Sequence, residues 1–365
     1  MKIALTLTRY IVGILFIFSG LVKANDPMGL AYKMQEFFEV WNWHFLNDYA
    51  LMFSVLMIAF EIIAGVAVLI GWQFRLFSWL LLLLIIFFTF LTAYAAFSGK
   101  IKECGCFGDC FKLPSMGSFL KDIALTILIV FLFIYRDKVK TIWSNRMAII
   151  GMLAATIFSF GIQFWVLEHL PLVDCLPYKK GANILEKRKI PAGAIPDSTV
   201  ITFVYKKDGK DVEFDSDHFP ADFNDSAYQF VNRYDKVVRK GNAEPPIKDF
   251  VLVNENNIDT TDALLTQKGQ MLILFAKSWD PNWNVQVKAI QATAEKNAIP
   301  FIISTSVADD VRANIKAPIM KSDFVAIKTA ARVDPTLYLM EDGYIVDKWA
   351  LPDAEKAYDI LKRKD

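Results

Sequence analysis

Hydrophobic and polar positions divide this chain into two halves. Over the first 170 residues or so, long apolar runs alternate with short polar breaks, and beyond them the apolar runs are brief and set between polar stretches. A helix that crosses a bilayer needs roughly 20 mostly apolar residues, because the hydrocarbon layer is about 30 Å thick. Its backbone polar groups must be paired within the segment. Five runs meet that demand: Ile3–Val22, Leu51–Ile70, Phe74–Phe97, Phe119–Tyr135 and Met147–Leu167. A secretory signal peptide is the rival reading of the first run. Its length, and the string Lys23-Ala24-Asn25-Asp26-Pro27 where a small-residue cleavage site would stand, favour an uncleaved helix. The short connections predict an antiparallel bundle. Gly13, Gly20, Ala64 and Gly65 allow close helix approach.

The second half reads differently. Residues 168–195 form a linker, broken by Pro171, Pro177, Gly181, Pro191 and Gly193, with Trp165 at the membrane interface. Val200–Tyr205 is a strand, and a hairpin turn follows at 207–210. Asp222–Gly241 is polar, helical or irregular, and Asp249–Val253 is the next strand. A short helix at Thr260–Leu265, a buried strand at Gln270–Ala276, an amphipathic helix at Asn284–Asn297 and a strand at Pro300–Thr305 come next. A hairpin turning at Asp342-Gly343 joins strands 336–340 and 344–349, and a helix at Ala354–Lys362 ends the pattern.

Composition is 54% apolar and 14% aromatic, an average that describes neither half. The net charge of +1 gives no field to attract nucleic acid, so none is expected as a partner, and membrane lipid is. The basic residues act as topology signals. Lys2 and Arg9, Arg75, and the dense cluster Arg136, Lys138, Lys140 and Arg146 mark one side. Lys23 and Lys33 stand in the first loop of the other side. Lys100, Lys102, Lys112 and Lys121 argue the other way, but the short loop between spans four and five is denser. The N-terminus is therefore expected on the cytoplasmic side of a bacterial inner membrane, with the C-terminal half periplasmic.

Two strings in the first half go beyond hydrophobicity: Arg9-x3-Gly13-x2-Phe16-x3-Gly20-x2-Lys23 followed by Asp26-Pro27, and Glu61-x3-Gly65-x3-Leu69-x-Gly71-x3-Arg75. An ionisable residue inside a span is costly and marks a functional candidate. Glu61, near the middle of its span, is read either as an internal helix–helix hydrogen bond with its proton retained, or as a proton or quinone contact. A third string, Cys104-Gly105-Cys106-Phe107-Gly108 with Cys110 after it, lies in the loop beyond span three, and Ser118 and Lys121-Asp122 open span four. Together these strings resemble the DoxX/MauE group of redox-associated membrane proteins over residues 3–140. The resemblance implies a four-helix membrane unit that works beside an envelope thiol-oxidoreductase or another membrane redox protein.

The cysteines carry their own chemistry. Outside the cytoplasm thiols tend to be oxidised. A Cys104–Cys106 pair would close a strained ring suited to exchange, whereas Cys106 or Cys104 with Cys110 closes an ordinary loop. Cys175, just after span five, is the fourth, and four cysteines allow three full pairings. Permanent staples, exchange with a partner, and a three-thiolate zinc or copper(I) site all stay open, although no His lies in the loop. His44, His169 and His218 are scattered. No metal is expected, and a quinone is the one cofactor candidate.

Over residues 247–363 the order strand, helix, strand, hairpin, helix resembles the thioredoxin fold. Where that fold carries its W-C-x-x-C string, this chain has Trp279-Asp280-Pro281-Asn282-Trp283, with Asp280 and Trp283 in the two cysteine positions. The proline before the hairpin strand is matched by Pro335. Without a low-pKa thiolate there is no exchange chemistry at this place, and Asp280 is expected as a helix cap. The overall expectation is an α-helical transmembrane bundle followed by an α/β thioredoxin-like domain: residues 1–140 a DoxX/MauE-like unit, 141–170 a fifth span, 171–246 a linker with a small α/β extension, and 247–365 a docking module without its cysteines. The sequence has no phosphate loop, HExxH string or nucleophile elbow, which speaks against an independent hydrolase or nucleotide enzyme.

Overall fold

The computed structural model describes residues 2–101, 105, 108–111, 113–195, 198–207, 209–215, 218–220, 222–223, 227–239, 241 and 243–362. Cys104 and Cys106 lie outside the described residues, as do Lys102, Lys112 and Asp208 of the hairpin turn. Helix α1 (Lys2–Ala24) is followed by a shorter helix, α2 (Pro27–Val40), and then by α3 (Ala50–Ile70), α4 (Phe74–Ser98), α5 (Ser115–Ile134) and α6 (Asn145–Glu168). Five of these are long and apolar enough to cross a membrane, α3 together with the 3-10 turn His44–Tyr49 that leads into it. The connection between the first two spans is thus helical rather than a loop. Its start is written in the sequence: Asp26 accepts a hydrogen bond from the Gly29 amide (2.9 Å) and Pro27 fills the first turn, where no amide hydrogen is needed.

The first four spans close a ring in which α1 packs on α3, α3 on α4, α4 on α5 and α5 on α1; α6 leans on the outside of α3. Close approach of α1 and α3 rests on Gly13 and Gly65. A Cβ built on Gly65 would stand 2.9 Å from the Gly13 carbonyl oxygen, and one on Gly13 would stand 3.0 Å from the Gly65 oxygen. On the N-terminal face, the links between α3 and α4 and between α5 and α6 are stitched together. The Ile142 amide donates to the Ile70 carbonyl (2.9 Å), and Thr141 donates to the Gly71 carbonyl (3.0 Å). The opposite face carries α2, the described residues of loop 99–114 and those of the C-terminal half.

That half contains two sheets. The stretch after α6 is not a free linker. Tyr178 and Ile184 are buried, α7 (Ile184–Lys187) forms, and residues 181–184 bond to a hairpin strand through Gly181 to Ile345 (2.7 Å) and Ile345 to Ala182 (2.9 Å). Strands β1 (Ser198–Lys207), β2 (Lys210–Asp215) and β3 (Gln229–Arg239) make an antiparallel sheet of order β2-β1-β3. Among the described residues this extension carries three strands, and β3 replaces the helical or irregular segment expected at 222–241. Pairing with β1 along nearly its whole length, and rings gathered around Tyr205 (Phe214 at 5.3 Å, Phe230 at 5.5 Å), supply what the polar sequence of β3 lacks.

The second sheet contains β4 (Gln270–Ala276), β5 (Phe301–Thr305), β6 (Ile319–Lys321), β7 (Thr336–Glu341) and β8 (Tyr344–Ala350), and is interleaved with α8 (Thr261–Leu265), α9 (Asn284–Lys296), α10 (Ala308–Asn314), α11 (Phe324–Ala330) and α12 (Glu355–Lys362). Its order is β6-β5-β4-β7-β8, with β4 parallel to β5 and antiparallel to β7. Alternate residues of β4 enter two cores. Leu272 and Leu274 pack with Val287, Ile290, Val311 and Trp349, while Ile273 and Phe275 pack with Ile184, Leu252, Ile327 and Tyr338. Burial on both faces explains why β4 is a continuous apolar run. Asp249–Val253 is not a strand: only Val253 makes isolated bridges, and the Leu252 backbone is satisfied by side chains, its amide donating to Thr261 Oγ1 (2.7 Å) and its carbonyl accepting from Thr260 Oγ1 (2.9 Å). The sequence reading passed over α10, β6 and α11, which are short.

Candidate functional site

The ring of spans encloses a cavity of about 630 Å³ between α1, α2, α3, α4 and α5. Most of its wall is Leu, Phe and Met. Lys33 of α2, paired with Glu36 (2.8 Å), also lines it, and two further polar groups interrupt it. On α1 and α3, the buried carboxylate of Glu61 accepts from Lys23 Nζ (2.5 Å) and Ser19 Oγ (2.9 Å), and Lys23 also donates to Ser19 (3.1 Å). On α4 and α5, Asp122 Oδ2 accepts from Thr92 Oγ1 (3.0 Å), and Oδ1 lies 2.8 Å from Lys121 Nζ without hydrogen-bond alignment. Ser19, Lys23, Glu61, Thr92, Lys121 and Asp122 all line the cavity.

This alters the sequence reading of Glu61. Its partner is a cation, not a neutral group, and that cation is Lys23, expected as a loop charge. Lys23 occupies the last turn of α1 and is 3% exposed, with the Phe88 ring 5.1 Å from its ammonium. Counted along α3 alone, Glu61 sits near mid-span. Measured against α1, it is level with Gly20, because a Cβ on Gly20 would lie 3.3 Å from Glu61 Cβ. The pair therefore stands about one helical turn from the end of α1 nearest the cysteine loop. Asp122, two turns into α5, was read in the sequence only as part of the string that opens span four; an acid inside an apolar run was the signal for more.

Gly105, which stands between Cys104 and Cys106 in sequence, lines the same cavity. Cys110 forms a disulfide with Cys175 across 65 residues. Cys110 is then unavailable to Cys104 or Cys106, and it is not a thiolate for a metal. Among the described residues, no group of three or more His, Cys, Asp or Glu side chains gathers as a metal site.

Around this disulfide the C-terminal half seats on the membrane half. Arg332, just after α11, pairs with Asp26 (2.9 Å) and with Asp109. Gly29 makes room for both acids, since a Cβ there would lie 2.8 Å from Asp26 Oδ2 and 3.4 Å from Asp109 Oδ2. Lys277 donates to the Tyr32 hydroxyl (3.1 Å), and Lys348 pairs with Asp174 (2.7 Å). Asn25 and Val173 exchange two hydrogen bonds (2.8 and 2.9 Å). Burial pushes the Asp26 carboxyl above its usual range, against the pull of Arg332, and Asp109 adds like-charge repulsion. Burial also lowers Lys277, with Asp334 opposing, and lowers Lys348, with Asp174 opposing. None of these contacts was expected from sequence, because each joins residues far apart in the chain.

At the end of β4, Asp280 accepts from the Asn282 amide (2.9 Å) and caps the 3-10 turn Pro281–Trp283 that leads into α9. Trp279 donates to Asn284 Oδ1 (3.0 Å) and meets Trp283 edge to face at 5.9 Å. Both rings pack on the sheet core. The Asp334–Pro335 peptide is cis, and the Asp334 carboxylate accepts from the Lys277 amide (2.8 Å) and the Ser278 amide (2.9 Å). Trp279, Asp280, Trp283 and Pro335 hold structure here and present no thiol.

Comparison with known proteins falls on the same elements. Residues 1–135 match the family described as methylamine utilisation protein MauE. That stretch contains α1 to α5, the cavity and the cysteine loop. Residues 199–240, the three-stranded sheet, match a domain of unknown function, DUF8463. Protein TlpB of Flavobacterium psychrophilum is 25% identical over 197 residues, 53% of this chain and 53% of that protein. The chain therefore matches about half the length of this curated relative. No solved structure matches the chain.

Proposed function

We propose that this protein is a membrane-embedded accessory of thiol–disulfide chemistry on the face that carries loop 99–114 and the C-terminal half. The observation that carries the reading is the Cys110–Cys175 disulfide, which fixes the cysteine loop to the foot of that half. A stable disulfide there suits an oxidising compartment, in keeping with a periplasmic face of a bacterial inner membrane and a cytoplasmic N-terminus. With Cys110 engaged, Cys104 and Cys106 are the pair left for exchange. The thiolate of one attacks a partner's disulfide, the partner's second sulfur leaves as thiolate, and the other loop thiol resolves the mixed disulfide. The loop pair ends oxidised and the partner reduced, and the reverse direction balances in the same way.

Residues 247–365 serve in this reading as a thioredoxin-like docking module. Its support is the parallel β4–β5 pair flanked by the antiparallel β7–β8 hairpin, with Asp334, before the cis Pro335, bonded to the Lys277 and Ser278 amides that lead into the turn where a thioredoxin keeps its cysteines. The residues 1–135 that match MauE hold the working part, and α6 delivers the module. Cys104→Ser and Cys106→Ser, made singly, are expected to trap mixed disulfides with envelope proteins on non-reducing gels. If neither variant traps a species, and envelope thiol status is the same without the protein, the reading falls. The structural alternative, permanent staples, predicts that all four cysteines resist mild reductant. A second reading, that the bundle handles a quinone or protons at Glu61, is favoured by the cavity.

A further inference from the structure

The cavity has a combination of features that selects its ligand. Leu15, Leu56 and Phe87 line it and are exposed, and all three stand on membrane-spanning helices, which points the opening of the cavity toward the lipid. A ligand can enter from the membrane plane without crossing water. Its apolar length suits a hydrocarbon or isoprenoid chain. The two polar groups then decide the head. Each pairs one lysine with one carboxylate, Lys23 with Glu61 and Lys121 with Asp122. Each is formally neutral, as is the Lys33–Glu36 pair at the α2 side, so an anionic phosphate head would meet lysines already matched by carboxylates and pay its desolvation without net attraction. A neutral head with hydrogen-bonding oxygens on opposite sides fits better. Its carbonyls accept from ammonium or hydroxyl donors, and its reduced hydroxyls donate to carboxylates. Asp122, fully buried with one oxygen lacking an aligned donor, is an acceptor of that kind.

We propose that this cavity binds a lipid-soluble quinone, with its ring between the Ser19–Lys23–Glu61 and Thr92–Asp122–Lys121 groups and its chain along the apolar wall toward the lipid. Both redox forms are then held: the quinone by Lys and Thr donors, the quinol by Glu61 and Asp122. Binding stands on the cavity alone. Its use rests on the thiol–disulfide reading: two thiols and one quinone give one disulfide and one quinol, the two electrons and two protons leaving the sulfurs for the quinol oxygens.

The test is native mass spectrometry of the full chain released from lipid nanodiscs, with decylubiquinone as the probe and 1-decanol as the same tail without the head. A saturable decylubiquinone adduct that decanol fails to displace is expected. Leu91→Trp, which fills the cavity, and the paired change Lys23→Met with Glu61→Leu, which removes one head contact, should each weaken it by at least about tenfold. An intact Cys110–Cys175 disulfide certifies folding, and Met57→Trp replaces Leu91→Trp if that variant fails this check. The proposal is overturned by no adduct, by equal displacement with decanol, or by binding that the filled cavity leaves unchanged. Cys104→Ser with Cys106→Ser should bind as wild type does. Loss of thiol trapping with retained binding thus sinks the redox use and leaves the site.

Discussion

Lys23 and Glu61 are each almost wholly buried, at 4% and 1% side-chain exposure, and each is costly without the other. Taking one charge from such a pair leaves the other stranded, at about 3–5 kcal/mol, whereas replacing both with apolar residues of similar size is near neutral. Glu61→Leu alone is therefore expected to lower thermal stability in detergent sharply, and Lys23→Met added to it should restore most of the loss. A double-mutant cycle on melting temperatures reads the coupling directly. The sequence displayed Glu61 because an acid in an apolar run stands out. Lys23 closes the first string of the sequence, yet a lysine at the edge of a run also looks like a boundary marker, and nothing local paired it with Glu61. Only the register of α1 on α3 turns that boundary residue inward.

Helices and strands were legible to the degree that their own residues determine them. The five spans, β4 and the β7–β8 hairpin carry runs long or apolar enough to need no partner for recognition. β3 needed β1, and the segment 249–253 keeps only isolated bridges from Val253, one of them to Lys321 of β6, because Thr260 and Thr261 bond the Leu252 backbone. Close helix contact is a property of the pair as well. At Gly65 an added methyl meets the backbone oxygen of Gly13 at 2.9 Å and the Ile17 amide nitrogen at 3.0 Å. At Gly13 the nearest atoms belong to the Leu69 side chain, which has freedom to move, and one backbone atom, the Gly65 oxygen, stands at 3.0 Å. Gly65→Ala is accordingly expected to destabilise the bundle by about 1–3 kcal/mol, and Gly13→Ala by less. Unfolding of the two variants side by side in mixed micelles measures the difference.

At the scale of the molecule, the two halves meet through buried charge, and that makes their seating depend on pH. Asp26 is pushed upward in the seated form, so the seated form holds its proton more tightly than a freed one with the ordinary value of 3.8. The sign follows: this contribution favours seating fully below the freed value and is lost as pH rises through the seated value. Hydrogen exchange at residues 25–33, corrected for intrinsic rates, should therefore show weaker protection at pH 7.5 than in mild acid, and Asp26→Asn should flatten the difference. An unchanged pH dependence in Asp26→Asn would remove Asp26 as its origin. The partners Asp26, Asp109 and Arg332 were invisible beforehand, since nothing local links a helix cap, a loop acid and an arginine more than two hundred residues away.

Cys110 and Cys175 bracket α5 and α6, so their bond closes a ring of chain that passes through the bilayer twice. The two sulfurs reach the same side only after both helices have been inserted and the second has emerged. During biosynthesis the bond is thus a record of completed threading. A molecule with α6 stalled leaves Cys110 unmatched beside the other loop cysteines, and the cell's quality-control proteases and oxidants meet a chemically different object from the finished protein.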